Sequence, residues 1–260
     1  MTTADKPTVL IVGAGLCGLM LGTLLERIDV PYVIFERTST IKSLGSAISV
    51  GCPVLALFQQ LGIYEELVSV GFRTGYSQYI VSRPALYDLL LKQIPAHKVL
   101  LKKRILTILE EDDRATIQAA DNTVYEGDLL VGADGAYSAV RQRLYEKLKV
   151  KGLLPKVDDE ELPFNCTCLV GQTEPLDIEE FPILKNSFSQ FLIVRGIDIP
   201  YMMCDETRHL QTSVKVGDKY LTVGDFYDRT PQELVSKVML EEKVFETWYH
   251  GRTVLLGDGW

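Results

Sequence analysis

The sequence predicts an α/β fold with a parallel-sheet core and an inserted, mostly antiparallel β domain. An uncharged, mainly apolar run at 8–12 ends in a glycine-rich turn, a pattern typical of a parallel strand that is buried on both faces. A helical stretch and a second buried run at 32–35 follow, which gives β-α-β in the first 36 residues. From about residue 150 to residue 228, short alternating segments indicate antiparallel strands instead.

Turn residues and apolar periodicity place the remaining elements. Gly62 and Pro95 mark where two of the helices end. Helices are predicted at 16–28, 53–61, 84–93 and 231–240, and strands at 105–109, 115–119, 123–125, 129–131, 191–194, 220–223 and 253–256. The core domain is therefore discontinuous and comprises 1–70, 83–150 and 245–260, whereas the inserted domain comprises 71–82 and 151–244.

The chain has 260 residues, a net charge of −8 and five cysteines. This acidic balance argues against a nucleic-acid partner, which would require a basic surface. The odd number of cysteines and a start without a signal-peptide pattern favour an intracellular, cytoplasmic location. The uncharged run 9–25 is broken by glycines into a strand and a helix, so we expect no membrane span. Cys166 and Cys168 lack the usual zinc spacing, so we expect no metal site.

The turn after the first strand reads G-x-G-x-x-G, with Gly13, Gly15 and Gly18. In a Rossmann-like βαβ unit the first glycine permits the tight turn, the second lets the backbone approach a pyrophosphate, and the third lets the helix pack on the strand. Glu36 ends the second strand, where a carboxylate can accept hydrogen bonds from an adenosine ribose. We therefore predict a dinucleotide site. The alternative is a turn that serves packing only, with Glu36 as a surface charge.

Four further stretches indicate which dinucleotide binds. Residues 132–141 read GADGAYSAVR, a strand, a glycine turn and a helix start capped by Ser138. The others are SRPALYDLL at 82–90, GRTVLLGD at 251–258 and GSAIS at 45–49. Together they resemble motifs of the single-component (group A) flavin monooxygenases, which share the hydroxybenzoate-hydroxylase fold. Within that family, the sequence looks most similar to the fungal enzymes of terpenoid and indole-diterpene biosynthesis.

The resemblance implies FAD as a tightly bound cofactor. By this resemblance, Arg83 reaches the flavin cofactor, Asp134 lies in a motif that contacts FAD and NAD(P)H, and Asp258 binds the ribityl chain. Ser49 is expected to contact the cofactor through its backbone, and Arg37 occupies a position where an arginine is usual in the family. With Glu36 and the three glycines, these are the predicted cofactor-binding residues. For Arg83, an ion pair with a surface acid is the alternative.

The resemblance also implies an FAD-dependent monooxygenase. NAD(P)H would act as a transient reductant of FAD, and a flavin C4a-hydroperoxide formed with O2 would hydroxylate or epoxidise a small terpenoid or aromatic substrate. No protein nucleophile is required, so no catalytic residue is assigned, and we infer no protein partner. Tyr201 and Arg195 lie in the inserted domain, where substrate binding is expected, and only their position makes them candidates for substrate contact.

Two other functions stay open. The family continues past its Gly-Asp pair into a glycine-rich segment that cradles the flavin, whereas this sequence has only Gly259 and Trp260, and its stretches 71–81 and 216–221 are short for the family. A truncated, catalytically inactive FAD-binding protein would fit these departures. An NAD-binding dehydrogenase that uses only the first glycine turn would leave the resemblances at 132–141 and 257–258 unexplained.

Overall fold

The computed structural model describes most of the chain. The described residues are 6–40, 47–73, 78–161, 164–170, 173–174, 176–181, 195–196, 208–241 and 243–257. Three sequence predictions, namely the strand at 191–194, Tyr201 and Asp258, lie outside these ranges.

Helices and strands alternate in the first part of the described chain, and strands dominate the second. The helices are α1 Leu16–Arg27, α2 Cys52–Leu61, α3 Tyr64–Val70, α4 Arg83–Leu91, α5 Ala139–Val150, α6 Lys156–Asp159 and α7 Val223–Tyr227. The strands are β1 Val9–Val12, β2 Tyr32–Phe35, β3 Ala47–Val50, β4 Gly71–Arg73, β5 Tyr79–Ser82, β6 Val99–Leu100, β7 Ile105–Glu110, β8 Ala115–Ala119, β9 Val124–Gly127, β10 Leu129–Gly132, β11 Phe164–Val170, β12 Arg195–Gly196, β13 Gln211–Val216, β14 Lys219–Thr222, β15 Ser236–Glu241, β16 Tyr249–His250 and β17 Thr253–Leu255.

A six-stranded sheet in the order β16-β17-β10-β1-β2-β6 forms the centre of the fold. The five strands from β17 to β6 are parallel, and β16 is antiparallel at one edge. All four residues of β1 are buried, because hydrophobic layers cover both faces of the sheet. The carboxyl ends of β17, β10, β1 and β2 therefore meet at one edge of the sheet, where ligands bind in open α/β folds.

Successive residues of β1 point into two different hydrophobic clusters. Val9 and Ile11 pack in the cluster that contains α1 to α4, whereas Leu10 and Val12 pack in the cluster that contains β8 and α5. This division follows from the two-residue side-chain period of a strand. One continuous apolar stretch thus supplies the core on both faces of the sheet.

The remaining strands form separate antiparallel sheets. These are β3-β5-β4, β7-β8-β9, β12-β11-β15 and the pair β13-β14. The first two sheets lie beside the parallel core, although β4 and β5 come from the stretch 71–82 that was predicted for the inserted domain. The other two sheets lie in the stretch 151–244 of that predicted domain. The predicted fold class, a parallel-sheet core with a mostly antiparallel insertion, is confirmed.

Most predicted elements lie within about two residues of the observed ones, but the helix at 231–240 is wrong. A single 3-10 turn at Gln232–Leu234 is followed by β15, which pairs antiparallel with β11 along six register positions. Backbone pairing with a distant strand thus overrides the local signal of a proline at a helix start. Helix α3, which the sequence reading omitted, runs from Tyr64 to Val70.

Two negative observations apply to the described ranges alone. No helix there is both long and apolar enough to cross a membrane. Those same ranges contain no group of three or more His, Cys, Asp or Glu side chains placed to hold a metal ion.

Candidate cofactor site

The glycine turn between β1 and α1 uses its three glycines in different ways. Gly13 has φ +107°, and a Cβ there would lie 2.3 Å from the carbonyl oxygen of Ala133. A Cβ at Gly18 would lie 2.0 Å from the carbonyl oxygen of Gly13. A Cβ at Gly15, by contrast, would meet no atom within 4 Å. Gly13 and Gly18 therefore permit close backbone packing, and Gly15 borders open space.

Helix α1 begins at this open space without a side-chain cap. Its N-cap residue is Gly15, no side chain accepts a hydrogen bond there, and its first turn contains no acidic residue. The first N–H groups of a helix have no partner within the helix, and the helix dipole adds partial positive charge. This end of α1 can therefore bind an anion such as a pyrophosphate.

Glu36 follows β2 and lies beside the glycine turn. Its Oε2 accepts a hydrogen bond of 3.0 Å from the backbone N–H of Ala14. Its Oε1 accepts bonds of 2.9 Å from both the backbone N–H and the hydroxyl of Thr38. Each carboxylate oxygen carries two lone pairs, so Oε1 is fully used and Oε2 can accept one further donor, such as a ribose hydroxyl. No role was predicted for Thr38, because its hydrogen bonds to Glu36 become visible only in the folded turn. Arg37, which lies between the two residues in the chain, is exposed.

Asp134 has a structural role at the start of α5. Its carboxylate accepts hydrogen bonds from the Ser138 hydroxyl at 2.5 Å and from the Ala139 N–H at 2.7 Å. The Ser138 oxygen in turn accepts a bond of 3.0 Å from the Arg141 N–H, as the predicted helix cap requires. The turn reaches the glycine loop through its backbone, since a Cβ at Gly13 would lie 2.8 Å from the Asp134 Cα.

Arg141 ends the GADGAYSAVR stretch, and no role was predicted for it from the sequence. It is buried, its guanidinium donates to the carbonyl oxygen of Ala136, and it lies 4.6 Å from the centre of the Phe245 ring. Burial lowers the pKa of Arg141 below the ordinary arginine value. Through these contacts, Arg141 stabilises the turn that precedes α5.

The described part of the GRTVLLGD stretch, residues 251–257, ends against the first turn of α1. The N–H of Leu256 donates to the carbonyl oxygen of Gly132 at 2.8 Å, which continues the β17–β10 pairing. Gly257 has φ +64°, and a Cβ there would lie 2.3 Å from the Cys17 sulfur. Cys17 was not singled out in the sequence because only the fold brings it beside Gly257.

Arg83 and Ser49 lie on a neighbouring antiparallel pair. In the β3–β5 register, Ala47 is opposite Ser82, and Ser49 is opposite Ile80. The Ser82 oxygen accepts a bond of 3.3 Å from the Ala85 N–H and caps α4, whose first residue is the exposed Arg83. Within the described part of the chain, no carboxylate pairs with Arg83.

Comparison with known proteins gives this arrangement a family. A profile described as "FAD binding domain" matches residues 6–127, which include the glycine turn, Glu36 and α4. The chain contains an FAD-binding domain. The expected cofactor, FAD, agrees with this family, and the domain covers β1 to β9 with the helices between them.

The relatives of this FAD-binding protein extend over nearly the whole chain. The FAD-dependent monooxygenase ptmM of Penicillium ochrochloron is 26% identical over 98% of the chain and 72% of its own length. The FAD-dependent monooxygenases nvfK of Aspergillus novofumigatus and paxM of Penicillium paxilli are 24% and 25% identical. The chain spans only 65% and 63% of the length of these two relatives. The predicted resemblance to fungal FAD-dependent monooxygenases is confirmed.

Solved structures show the same fold at low sequence identity. Klebsiella pneumoniae HpxO, solved with FAD and uric acid, is 18% identical with a TM-score of 0.71, and the match covers 97% of this chain and 72% of HpxO. The Diels-Alderase PyrE3 is 22% identical with a TM-score of 0.68, and the match covers 97% of this chain and 59% of PyrE3. These likenesses establish the fold of the FAD-binding protein and not its reaction.

Proposed function

We propose that the protein is an FAD-dependent monooxygenase that uses NAD(P)H and O2 to hydroxylate or epoxidise a small organic substrate. The observation that carries this proposal is the match to three relatives with the name FAD-dependent monooxygenase, each over at least 96% of this chain. These matches extend beyond the FAD-binding domain into the inserted domain. A terpenoid or aromatic substrate is the class that the sequence resemblance implies.

The residues around the glycine turn suit FAD. The open space over Gly15 and the uncapped start of α1 would receive the pyrophosphate. The one spare lone pair of Glu36, on Oε2, would accept a hydrogen bond from the adenosine ribose. We assign Arg83 and the backbone of Ser49 to the FAD site as well, because the β3–β5 pair holds both near the start of α4. The backbone turn at Asp134 would support the same cofactor from β10.

Bound FAD would supply the redox chemistry by accepting electrons from NAD(P)H and reducing O2. The protein's own residues would orient the cofactor, exclude water and hold the substrate. We assign substrate binding to the inserted domain at 71–82 and 151–244, of which the described strands form antiparallel sheets. Asp258 would bind the ribityl chain, as the sequence resemblance implies.

A visible absorption spectrum of the purified protein, with and without added FAD, tests the cofactor. We expect flavin bands that stay with the protein through gel filtration. Oxidation of NADH and NADPH is then followed with a panel of prenylated aromatic and terpenoid compounds. A compound that accelerates NAD(P)H oxidation and becomes oxygenated would support the proposal. A protein that retains FAD, but whose oxidation of NADH and NADPH no compound of the panel accelerates, would contradict the proposed monooxygenase activity.

A second candidate is an FAD-binding protein without monooxygenase activity. Its support is that the match to ptmM spans 309 residues although this chain has only 260, so ptmM contains internal segments that this chain lacks. Anaerobic mixing of the FAD-bound protein with NADH or NADPH separates the two candidates. Loss of the oxidised flavin absorption favours the monooxygenase, and a flavin that neither nucleotide reduces favours the inactive protein.

A further inference from the structure

Tyr87 on α4 carries a buried hydroxyl that no described residue satisfies. The residue is only 7% exposed, and within the described part of the chain its hydroxyl is the one buried side-chain polar atom without a hydrogen-bond partner. More than nine in ten buried polar groups in proteins have such a partner, because an unpaired one costs stability. A phenylalanine would fill the same space without that cost. The hydroxyl therefore requires an explanation.

The position of Tyr87 points to the cofactor site. Tyr87 lies one helical turn after Arg83, so the two residues share a face of α4. Helical side chains tilt toward the helix N-terminus, and the Tyr87 side chain therefore extends toward the turn that carries Arg83. Its ring packs in the same hydrophobic cluster as Ala14 of the glycine turn and Val50 at the end of β3.

Glu36 is near enough to act on this hydroxyl electrostatically. Burial raises the pKa of Tyr87, and the negative charge of Glu36 raises this pKa further. The carboxylate nevertheless accepts its hydrogen bonds from Ala14 and Thr38 and none from Tyr87. The Tyr87 hydroxyl and the Glu36 carboxylate thus interact electrostatically without a hydrogen bond between them, so the hydroxyl can donate to a ligand that Glu36 also binds.

We propose that Tyr87 is a cofactor-binding residue, whose hydroxyl donates a hydrogen bond to an oxygen of the adenosine half of FAD. The acceptor is a ribose hydroxyl or the adjoining phosphate, since both groups carry oxygens with free lone pairs. The proposal rests on the FAD site proposed above. It assigns the orphaned hydroxyl a partner in the FAD-bound protein and accounts for a tyrosine where a phenylalanine would stabilise the free protein.

Tyr87→Phe tests this role because it predicts opposite effects on stability and on binding. Without FAD, the variant should melt at the same temperature as the wild type or higher, since an unpaired buried hydroxyl has been removed. The dissociation constant for FAD, measured by quenching of flavin fluorescence, should rise about five- to tenfold through loss of one hydrogen bond. The increase in melting temperature at a fixed FAD concentration should shrink accordingly.

Tyr145→Phe is the matched control. Tyr145 is also buried, but it lies in the other hydrophobic cluster, and its hydroxyl donates to the carbonyl oxygen of Thr247 at 3.0 Å. Its removal leaves that carbonyl without a partner, so we expect a lower melting temperature and an unchanged dissociation constant for FAD. The two substitutions delete the same atom with opposite expected results.

Two smaller probes locate the contact within the cofactor. ADP should bind Tyr87→Phe more weakly than wild type by a factor similar to that for FAD, whereas FMN should bind both proteins equally. A weaker affinity for FMN with unchanged ADP affinity would overturn the assignment to the adenosine half. Unchanged FAD affinity in Tyr87→Phe, beside a wild type that binds FAD, would overturn the role of Tyr87 alone. A wild type that binds no FAD would overturn the cofactor site as well.

Discussion

The backbone N–H of Ala14 donates a hydrogen bond of 3.0 Å to the carboxylate of Glu36, and this bond joins the glycine turn to the end of β2. Two elements that we propose to bind different parts of a dinucleotide are therefore held in a fixed relation by the protein itself. Such preorganisation reduces the ordering cost of binding. The carboxylate contributes both to this link and to the proposed ribose contact.

Glu36→Gln should weaken FAD binding without unfolding the protein. When the amide oxygen keeps the bond from Ala14, the NH2 group cannot accept from Thr38, and a ribose hydroxyl would bond to a neutral amide oxygen, which is a weaker acceptor than a carboxylate. Hydrogen bonds to a charged group contribute about 1.5–3 kcal/mol, so we expect a loss of about tenfold or more in FAD affinity. A fluorescence titration measures it. Glu126→Gln, at an exposed position on β9, is the control, and equal affinities for FAD in both variants would contradict the ribose assignment.

Gly13→Ala and Gly15→Ala should separate folding from cofactor binding. At Gly13 the added methyl group meets the Ala133 carbonyl oxygen at 2.3 Å in a backbone with φ +107°, so we expect a loss of stability of about 1–3 kcal/mol or more. At Gly15 the φ is −74° and the methyl group enters open space, so the free protein should stay within about 1 kcal/mol of wild type.

The binding measurement completes this pair of substitutions. The Gly15→Ala methyl group would occupy the space proposed for the pyrophosphate, so FAD affinity should fall while the free energy of unfolding in urea changes little. Urea unfolding and FAD titration of each variant are the measurements. A Gly15→Ala protein that binds FAD like wild type would show that the pyrophosphate lies elsewhere.

Glu110→Ala should destabilise the turn at Arg252 and Thr253, where β17 begins. The Glu110 carboxylate accepts hydrogen bonds from the Arg252 N–H at 2.9 Å and the Thr253 hydroxyl at 3.0 Å, at the entrance to β17. Leaving these donors without a partner costs about 1–3 kcal/mol. We expect a lower midpoint of urea unfolding. Glu111→Ala removes an exposed neighbour and should change the midpoint little, so equal shifts would contradict a supporting role for Glu110.

Acidification should remove a stabilising contribution of Glu26. The hydrogen bond from Lys98, at 2.6 Å, and the weaker effect of Tyr32 lower the pKa of Glu26 below its ordinary value. A carboxylate with a lowered folded-state pKa stabilises the protein above its unfolded-state pKa, near 4.3, and loses that contribution as pH falls through the folded-state value. Melting temperatures of Glu26→Gln and wild type should therefore differ at pH 7 and converge below about pH 4. A constant difference across this range would contradict the assignment.

Local chemistry explains what the sequence could predict. The unbroken apolar run of β1 and the spacing of Gly13, Gly15 and Gly18 are visible in the first 36 residues, because strand burial and the βαβ turn have local signatures. The packing of Gly13 against Ala133 is visible only in the fold. The cap of α5 by Ser138 was predicted for the same reason, since a helix start has a local signature.

Features that depend on distant contacts were not predictable from the sequence. Strand β15 was interpreted as a helix because its pairing with β11 has no local signal. That Asp134 lies in a cofactor-contacting motif stays a prediction, and its carboxylate bonds locally to Ser138 and Ala139. No role was predicted for Tyr87 in the SRPALYDLL stretch, because an unpaired buried hydroxyl becomes visible only when its surroundings are known.

The contact between Cys17 and the Gly257 turn has a consequence for biosynthesis. The glycine turn leaves the ribosome before β17 and Gly257, which follow only after residues 208–241 have been made. Strand β17, with its neighbour β16 at the edge of the sheet, must then pair with β10, which is a slow, long-range pairing step. A nascent chain can therefore form the first βαβ unit early, but the Gly257 turn reaches Cys17 only after β17 has docked on β10.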